Sequence, residues 1–529
     1  LVAALGASEA GAQGNDRSSP IGGRSELMGN TGVALARDGS APFLNPATIG
    51  MIEDARVAFS VNFFTYSNTH YGKLNQPGPI NPQFGTLALD SNGDSASRFH
   101  GLPSTLCLFF TLAGLVESDA EGNARGERRG RQKLAFCLGS LEADDVNLAA
   151  LSFRGSTSMG STFQTESISR NWNRLYVGPT YSVAVTDPFI VGASLHGVVT
   201  SDSFSVEGNS ITSIAGGNAV SSGMGTSGYG YSFDLAATLG ATYRLGLVTL
   251  GASAELPGLH VLGHFQATAH NEESGTQATA NVTAGVGSFS SRPPMRLAAG
   301  AGVEWPRLTL ELDESVDLPS QTAVSSTMTV TSTDLVAGVA KTTTTSNARY
   351  VIPSQIMLNT SAGAEYFVTR GFSLIGGAST NLSTLSALLP ANSVGNLVQS
   401  RMNHVGLSFG IGSYGGGRDL LIGLQLDYGW GQALVVNSYQ TPNAWSVIDT
   451  QTYTATAVLA GTTDLRTIGR AVEKVKNAVF TGTPDNSATP STENPAPRPS
   501  DPKPPNPEPT SPPPPRTPTP LTPLTPPPL

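Results

Sequence analysis

No stretch of the 529-residue chain approaches the roughly 18 consecutive apolar residues of a membrane helix, which excludes a spanning helix among these residues. Charge is scarce as well: Asp, Glu, Lys and Arg supply 13% of the residues, about half the usual globular share. The missing charge has not been replaced by a hydrophobic block, because mean hydropathy is only −0.06. There is no basic excess either. A formal net charge of −9 gives no footing for a nucleic-acid partner. The one basic run, Arg125-Gly126-Glu127-Arg128-Arg129-Gly130-Arg131, follows acidic residues and has no interleaved aromatics. It reads as a solvated loop tip, with contact to anionic lipopolysaccharide as the alternative.

The chemistry-bearing motifs are equally thin. Seven histidines are scattered, and no G-x-S-x-G occurs, so the catalytic assignment is none and the chain reads as a non-enzyme. An outer-membrane lipid-modifying enzyme that assembles its triad from distant strands stays open as an alternative. His260 and His264 have helical zinc spacing in a segment that reads as strand, without a third ligand. Asp90-Ser91-Asn92-Gly93-Asp94 lacks the closing acid of a calcium loop, and no metal or cofactor is expected. Gly410-Ile411-Gly412-Ser413-Tyr414-Gly415 matches G-x-G-x-x-G but leads into a strand rather than a helix, so it reads as a hairpin turn. The two cysteines, Cys107 and Cys137, lie in strands flanking a charged loop and fall opposite each other if those strands form a hairpin. A disulfide and two buried thiols are both consistent with that placement.

What the chain has in abundance is alternation. Val57, Phe59, Val61 and Phe63 share one face of a strand, while Arg56, Ala58, Ser60 and Asn62 share the other. Leu175, Val177, Tyr181, Val183 and Val185 alternate with Arg174, Gly178, Thr180, Ser182 and Ala184. Ile422, Leu424, Leu426, Tyr428 and Trp430 alternate with Gly423, Gln425, Asp427 and Gly429. Such a chain satisfies both its low charge and its middling hydropathy if the apolar face meets lipid and the small or polar face lines a lumen. Short connections at 186–188, 244–246 and 370–371 contrast with long polar ones at 68–100, 113–132, 201–229 and 318–350, some of which read alternatively as strand extensions, since Thr327–Thr345 is rich in Thr and Val. That asymmetry belongs to outer-membrane barrels. The pattern predicts an all-β fold, a transmembrane antiparallel barrel of about 14 strands over residues 54–461. Tyr66, Trp172, Trp305 and Trp430 are placed near strand ends as interfacial aromatics. Arg56, Arg174, Arg296, Glu311, Asp313, Gln425 and Asp427 are placed facing the lumen.

The flanks differ. Leu1–Ser8 with Ala10-Gly11-Ala12 looks like a signal-peptide remnant over 1–12. Leu465, Ile468, Val472, Val475 and Val479 recur at helical spacing, so 462–481 reads as an amphipathic helix. Residues 482–529 form a Pro-rich tail, expected to be disordered, with a cell-wall contact as one use and an inert tail as the other.

Before the strands lies a segment, 13–53, rich in Gly, Ala and Ser. Its Gly29–Ala36 stretch, Asp38-Gly39-Ser40-Ala41 and Asn45-Pro46-Ala47 resemble the N-terminal plug of the FadL-type family of outer-membrane transporters. Pro293-Pro294-Met295-Arg296-Leu297 opening a strand also looks like that family. The resemblance implies a bacterial outer-membrane channel for long-chain fatty acids or hydrocarbons, in contact with outer-membrane lipid and lipopolysaccharide. It implies a hatch formed by Gly32, Gly39, Asn45, Pro46 and Ala47 that gates the lumen. Arg174 and Arg296 are the candidates for a fatty-acid carboxylate; charges that pair across the lumen and fill it are the alternative. A nonspecific porin or structural barrel, and a secreted β adhesin, remain as other readings.

Overall fold

A computed structural model describes residues 21–52, 56–77, 86–91, 94–99, 104–112, 132–157, 160–214, 216–217, 219–273, 279–319, 321–334, 339–386, 388, 400–415, 417–437 and 444–464. The signal-peptide remnant, residues 13–20, the basic run, residues 465–481 of the expected helix, and the Pro-rich tail lie outside the described residues. Strand β21 runs to Asp464, so residues 462–464, expected to open the helix, complete a strand instead.

The strands run in chain order. First come β1 (Arg56–Tyr71), β2 (Leu74–Pro77), β3 (Thr86–Ser91), β4 (Asp94–Phe99), β5 (Thr105–Thr111), β6 (Gln132–Thr157) and β7 (Gly160–Ala184). Next are β8 (Phe189–Ile214), β9 (Val220–Leu245), β10 (Val248–Glu255), β11 (Leu259–Glu273), β12 (Thr279–Ser291), β13 (Arg296–Glu304) and β14 (Leu308–Asp317). The last are β15 (Gln321–Asp334), β16 (Val339–Pro353), β17 (Met357–Thr369), β18 (Phe372–Asn381), β19 (Ser400–Gly415), β20 (Arg418–Asn437) and β21 (Ala444–Asp464). Pairing is antiparallel throughout, and β21 returns to β1 from Arg56↔Asp464 to Tyr71↔Thr450. That contact closes the sheet and leaves no edge.

The result is a closed barrel of 14 strands. Several of its walls consist of two collinear pieces: β4 and β5 both lie on β1, and β10 and β11 both lie on β9. Four adjacent walls break at or beside prolines: Pro257 between β10 and β11, Pro293-Pro294 between β12 and β13, Pro319 between β14 and β15, and Pro353 at the end of β16. A proline has no N–H to give to the ladder, so a wall that carries one interrupts its pairing there.

Burial alternates as the sequence predicts. On β7 the even positions from Thr162 to Ser182 are buried, while Tyr181 and Phe163 are exposed on the opposite face. Three expectations need correction. Trp172 is not an interfacial aromatic: it lies mid-strand on the buried face, 2% exposed, edge-on to Phe289. Residues 201–229 are largely strand, because Ser/Thr-rich runs with alternating Val and Phe extend β8 and β9 well past the apolar band; in 318–350 β15 and β16 form where the Thr/Val-rich run suggests strand extension. Gly410–Gly415 belongs to β19 rather than to a turn, and Gly417, at φ +75°, precedes β20.

Candidate functional site

Residues 21–52 are nearly all buried. They fold into α1 (Gly23–Leu27), α2 (Ala41–Leu44) and a 3-10 turn (Pro46–Met51). Helices this short are not stable alone, and side chains hold them in place. Asp38 accepts from the Ser25 and Ser40 amides, which folds the Asp38-Gly39-Ser40 turn back onto α1. Asn45 caps the 3-10 turn by accepting from the Ala47 amide at 3.1 Å. Its Nδ2 donates to the Val33 carbonyl at 2.6 Å and to Ala241 on β9 at 3.1 Å. Pro46 follows at the first position of the turn, where its missing N–H has no cost.

The segment meets walls all around the ring, at positions that carry glycine. A Cβ on Gly251 would fall 2.0 Å from the Val33 carbonyl oxygen, and one on Gly377 2.2 Å from the Gly29 amide. One on Gly192 would fall 2.5 Å from Pro46, and one on Gly139 2.6 Å from the Phe43 ring. Gly423 stands against Leu27 in the same way. The apolar core lies between these walls and Leu27, Met28, Phe43, Leu44 and Ile49. Phe43 stacks on His196 at 5.1 Å.

Charge does the remaining holding. Asp313 Oδ2 on β14 accepts from the amides of Gly32 and Val33 at 2.7 and 2.9 Å. Two residues earlier, Glu311 Oε1 accepts from the amides of Ala34 and Leu35, both at 2.8 Å. These two lumen-facing carboxylates therefore bind the main chain of the segment. Arg24 pairs with Glu365 at 2.7 Å, and Glu365 also accepts from Ser373 and Tyr414. Arg37 pairs with Glu304 at 2.7 Å. Glu26 is different. It is fully buried, and neither carboxyl oxygen has a hydrogen-bond partner among the described residues. Burial, with the Asp38 and Asp427 carboxylates nearby, holds its carboxyl well above the usual range.

Away from the segment, Arg174 is fully buried: Nη2 donates to Ser291 Oγ at 2.8 Å and Nε to Thr200 at 3.2 Å, with the guanidinium beside the Trp172 ring. Arg170 pairs with Asp202 at 3.0 Å. Arg296 pairs with Asp317, which also accepts from Asn359. Glu255, the register partner of Arg296, accepts from Tyr176. Arg56 sits near the short-turn end between Asp419 and Asp464, and Gln425 donates to Asp427. Cys107 and Cys137 are register partners on β5 and β6, 4.2 Å apart at Cα and joined as a disulfide.

The polar trio on β9 and β11 does not form a nucleophile–base pair: Ser232 and His260 both bond to Asp234 and not to each other. His264 packs between Tyr229 and Tyr231. Among the described residues no three metal-ligating side chains converge. Sequence reasoning missed Glu26 and Arg24, because isolated charges in a small-residue segment carry no periodic signal.

No protein-family model matches the chain, and no curated protein does. Solved structures do resemble it. The Pseudomonas putida toluene transporter TodX aligns at 14% identity and a TM-score of 0.50, covering 86% of this chain and 100% of that one. A Pseudomonas aeruginosa FadL homologue aligns at 14% identity and 0.46, covering 87% and 100%. The Ralstonia pickettii toluene transporter TbuX aligns at 15% and 0.45, covering 84% and 98%. The shared property is the fold, a closed antiparallel β-barrel.

Proposed function

We propose that this chain is an outer-membrane channel for the uptake of hydrophobic compounds, with residues 21–52 as a plug that gates it. The observation that carries this reading is the pairing of an apolar outer face on a closed barrel with a segment enclosed by the walls and tied to them by separable contacts. The fold shared with a toluene transporter supports it. Asn45, Pro46 and Ala47 form the corner of the plug against β8 and β9, while Gly32 lies at the carboxylate clamp and Gly39 against Thr105.

The ligand of choice is uncharged. Arg174 is held by Ser291 and Thr200 and Arg296 by Asp317, so a carboxylate would have to displace partners already in place. Uptake of labelled toluene and of labelled oleate, by cells with and without the protein, tests this. Protein-dependent toluene uptake that exceeds oleate uptake, and that falls on deletion of 45–47 at normal barrel levels, is the expected result. Oleate uptake that exceeds toluene uptake and is lost in Arg174→Gln would restore the fatty-acid reading. No protein-dependent uptake of either, with the barrel folded, would sink the channel reading.

Glu26 gives the plug a pH dependence. Its carboxyl titrates well above the usual carboxylate range when the plug is seated and within that range when it is released. Across the interval between the two the seated-to-released ratio falls about tenfold per pH unit as pH rises. Protease cleavage within 21–52 should therefore increase with pH more steeply in the natural protein than in Glu26→Gln. Equal slopes in the two would remove Glu26 as the cause.

A further inference from the structure

The outer face of β19, β20 and β21 is a clean apolar band with a sharp upper limit. From the short-turn end, β20 presents Leu420, Ile422, Leu424, Leu426, Tyr428 and Trp430. The neighbouring β19 presents Ile411, Phe409, Leu407 and Val405, and β21 presents Leu459, Ala457, Ala455 and Tyr453. Ten steps from Leu420 to Trp430, at about 3.3 Å each and tilted by about 40°, rise roughly 25 Å, the height of an outer-membrane apolar belt. Tyr428 stacks with Trp430 and with Tyr453, at 5.7 and 5.0 Å, along that limit.

Immediately beyond the aromatics the same outward positions turn polar on all three strands together, before the exposed Val447 on β21. Register places Arg401, Gln432 and Asp449 in one row, and Asn403, Trp430 and Gln451 in the row below it. Together with Gly431 and Thr450 they line a cleft of about 470 Å³ on the outside of the barrel. Among the described residues Arg401 has neither an ion pair nor a side-chain hydrogen bond, unlike the arginines of the lumen. Asp449 does not neutralise it, because Gln432 stands between them, with its Nε2 3.5 Å from Asp449 Oδ1.

We infer that this cleft binds the phosphorylated sugar head group of an outer-leaflet glycolipid such as lipopolysaccharide. The inference rests on the membrane-spanning reading of the barrel. A cation at the upper edge of an apolar belt meets lipid phosphate at that height, and a guanidinium binds phosphate through two parallel N–H donors. The amides of Asn403, Gln432 and Gln451 offer donors and acceptors at the spacing of adjacent strands, which suits ring hydroxyls. Asp449, at the far end of the row from Arg401, accepts hydroxyl hydrogens and repels phosphate, so it orients the head group. Trp430, 38% exposed beneath them, presents a flat apolar face to the sugar ring and acyl root.

Binding to the full-length barrel in detergent, read by native mass spectrometry, tests the site with three lipids: diphosphoryl lipid A, its dephosphorylated form, and phosphatidylglycerol. The expected order is diphosphoryl lipid A at least about tenfold tighter than either of the others. Arg401→Gln should remove about tenfold of that preference, as the loss of a charge-assisted pair does, and Trp430→Leu should weaken both lipid A forms. Arg401 points away from the core, and heat-modifiable migration checks that each variant is folded. Equal binding of phosphatidylglycerol, or a preference unchanged in folded Arg401→Gln, overturns the proposal. The readout is independent of uptake: a barrel that binds lipid A but takes up no hydrocarbon loses the channel reading and keeps this one.

Discussion

Valine at Gly377 or Gly251 should leave a folded barrel that is constitutively open. A Cβ at either place lands 2.2 or 2.0 Å from main-chain atoms of the segment, at Gly29 and Val33, where no side chain can swing aside. The wall is fixed by its ladder on both sides, and β18 pairs with both β17 and β19 at this level, so the segment must move. Two added methyls on the valine make seating impossible without a shift of the order of an ångström, and overpacking of that kind costs about 1–3 kcal/mol or more. The neighbouring Gly376 is the control: its Cβ would have only the Ser408 carbonyl at 3.6 Å, an ordinary contact. In planar bilayers, Gly377→Val and Gly251→Val should raise resting conductance several-fold, with Gly376→Ala indistinguishable from the natural protein. Closed channels in both valine variants would show that the segment does not block the lumen.

The second large effect is expected at the two carboxylates of β14. Asp313 and Glu311 between them accept from four consecutive amides, Gly32 to Leu35. Alanine at both positions strands those donors in a buried site, and each unsatisfied group costs about 1–3 kcal/mol. Even about 2 kcal/mol in total is roughly a 30-fold loss of seating. Hydrogen exchange at residues 32–35 should accelerate by at least that factor in Glu311→Ala/Asp313→Ala. Asp313→Asn keeps an acceptor oxygen and should fall in between. Unchanged protection in the double variant would mean that the apolar contacts of Leu27, Phe43 and Ile49 hold the segment without the clamp.

Much of this was legible in the chain. Alternation of large apolar with small or polar residues, as at Ile422–Trp430, is a local property of a strand with one face in lipid, so it survives in sequence without any knowledge of partners. It determined an all-β barrel, its approximate strand number, and the inward direction of Arg174, Arg296, Glu311, Asp313 and Gln425. The Asn45-Pro46-Ala47 motif stood out in the sequence through its resemblance to a plug; the structure makes it a capped turn, whose side-chain cap and proline act within three residues.

The tertiary structure alone decided the rest, and the reason is register. That Gly139, Gly192, Gly251, Gly377 and Gly423 lie against one enclosed segment depends on how far each wall is shifted relative to the next. The same shifts bring Glu311 and Asp313 under four amides some 280 residues earlier in the chain. They place Arg401 in one row with Gln432 and Asp449, and they put Trp172 inside the barrel where the sequence had placed it at a rim. A strand's own residues fix which side of the sheet each side chain faces. What each one meets there is fixed by neighbouring strands, through hydrogen-bond ladders that carry no mark in the sequence.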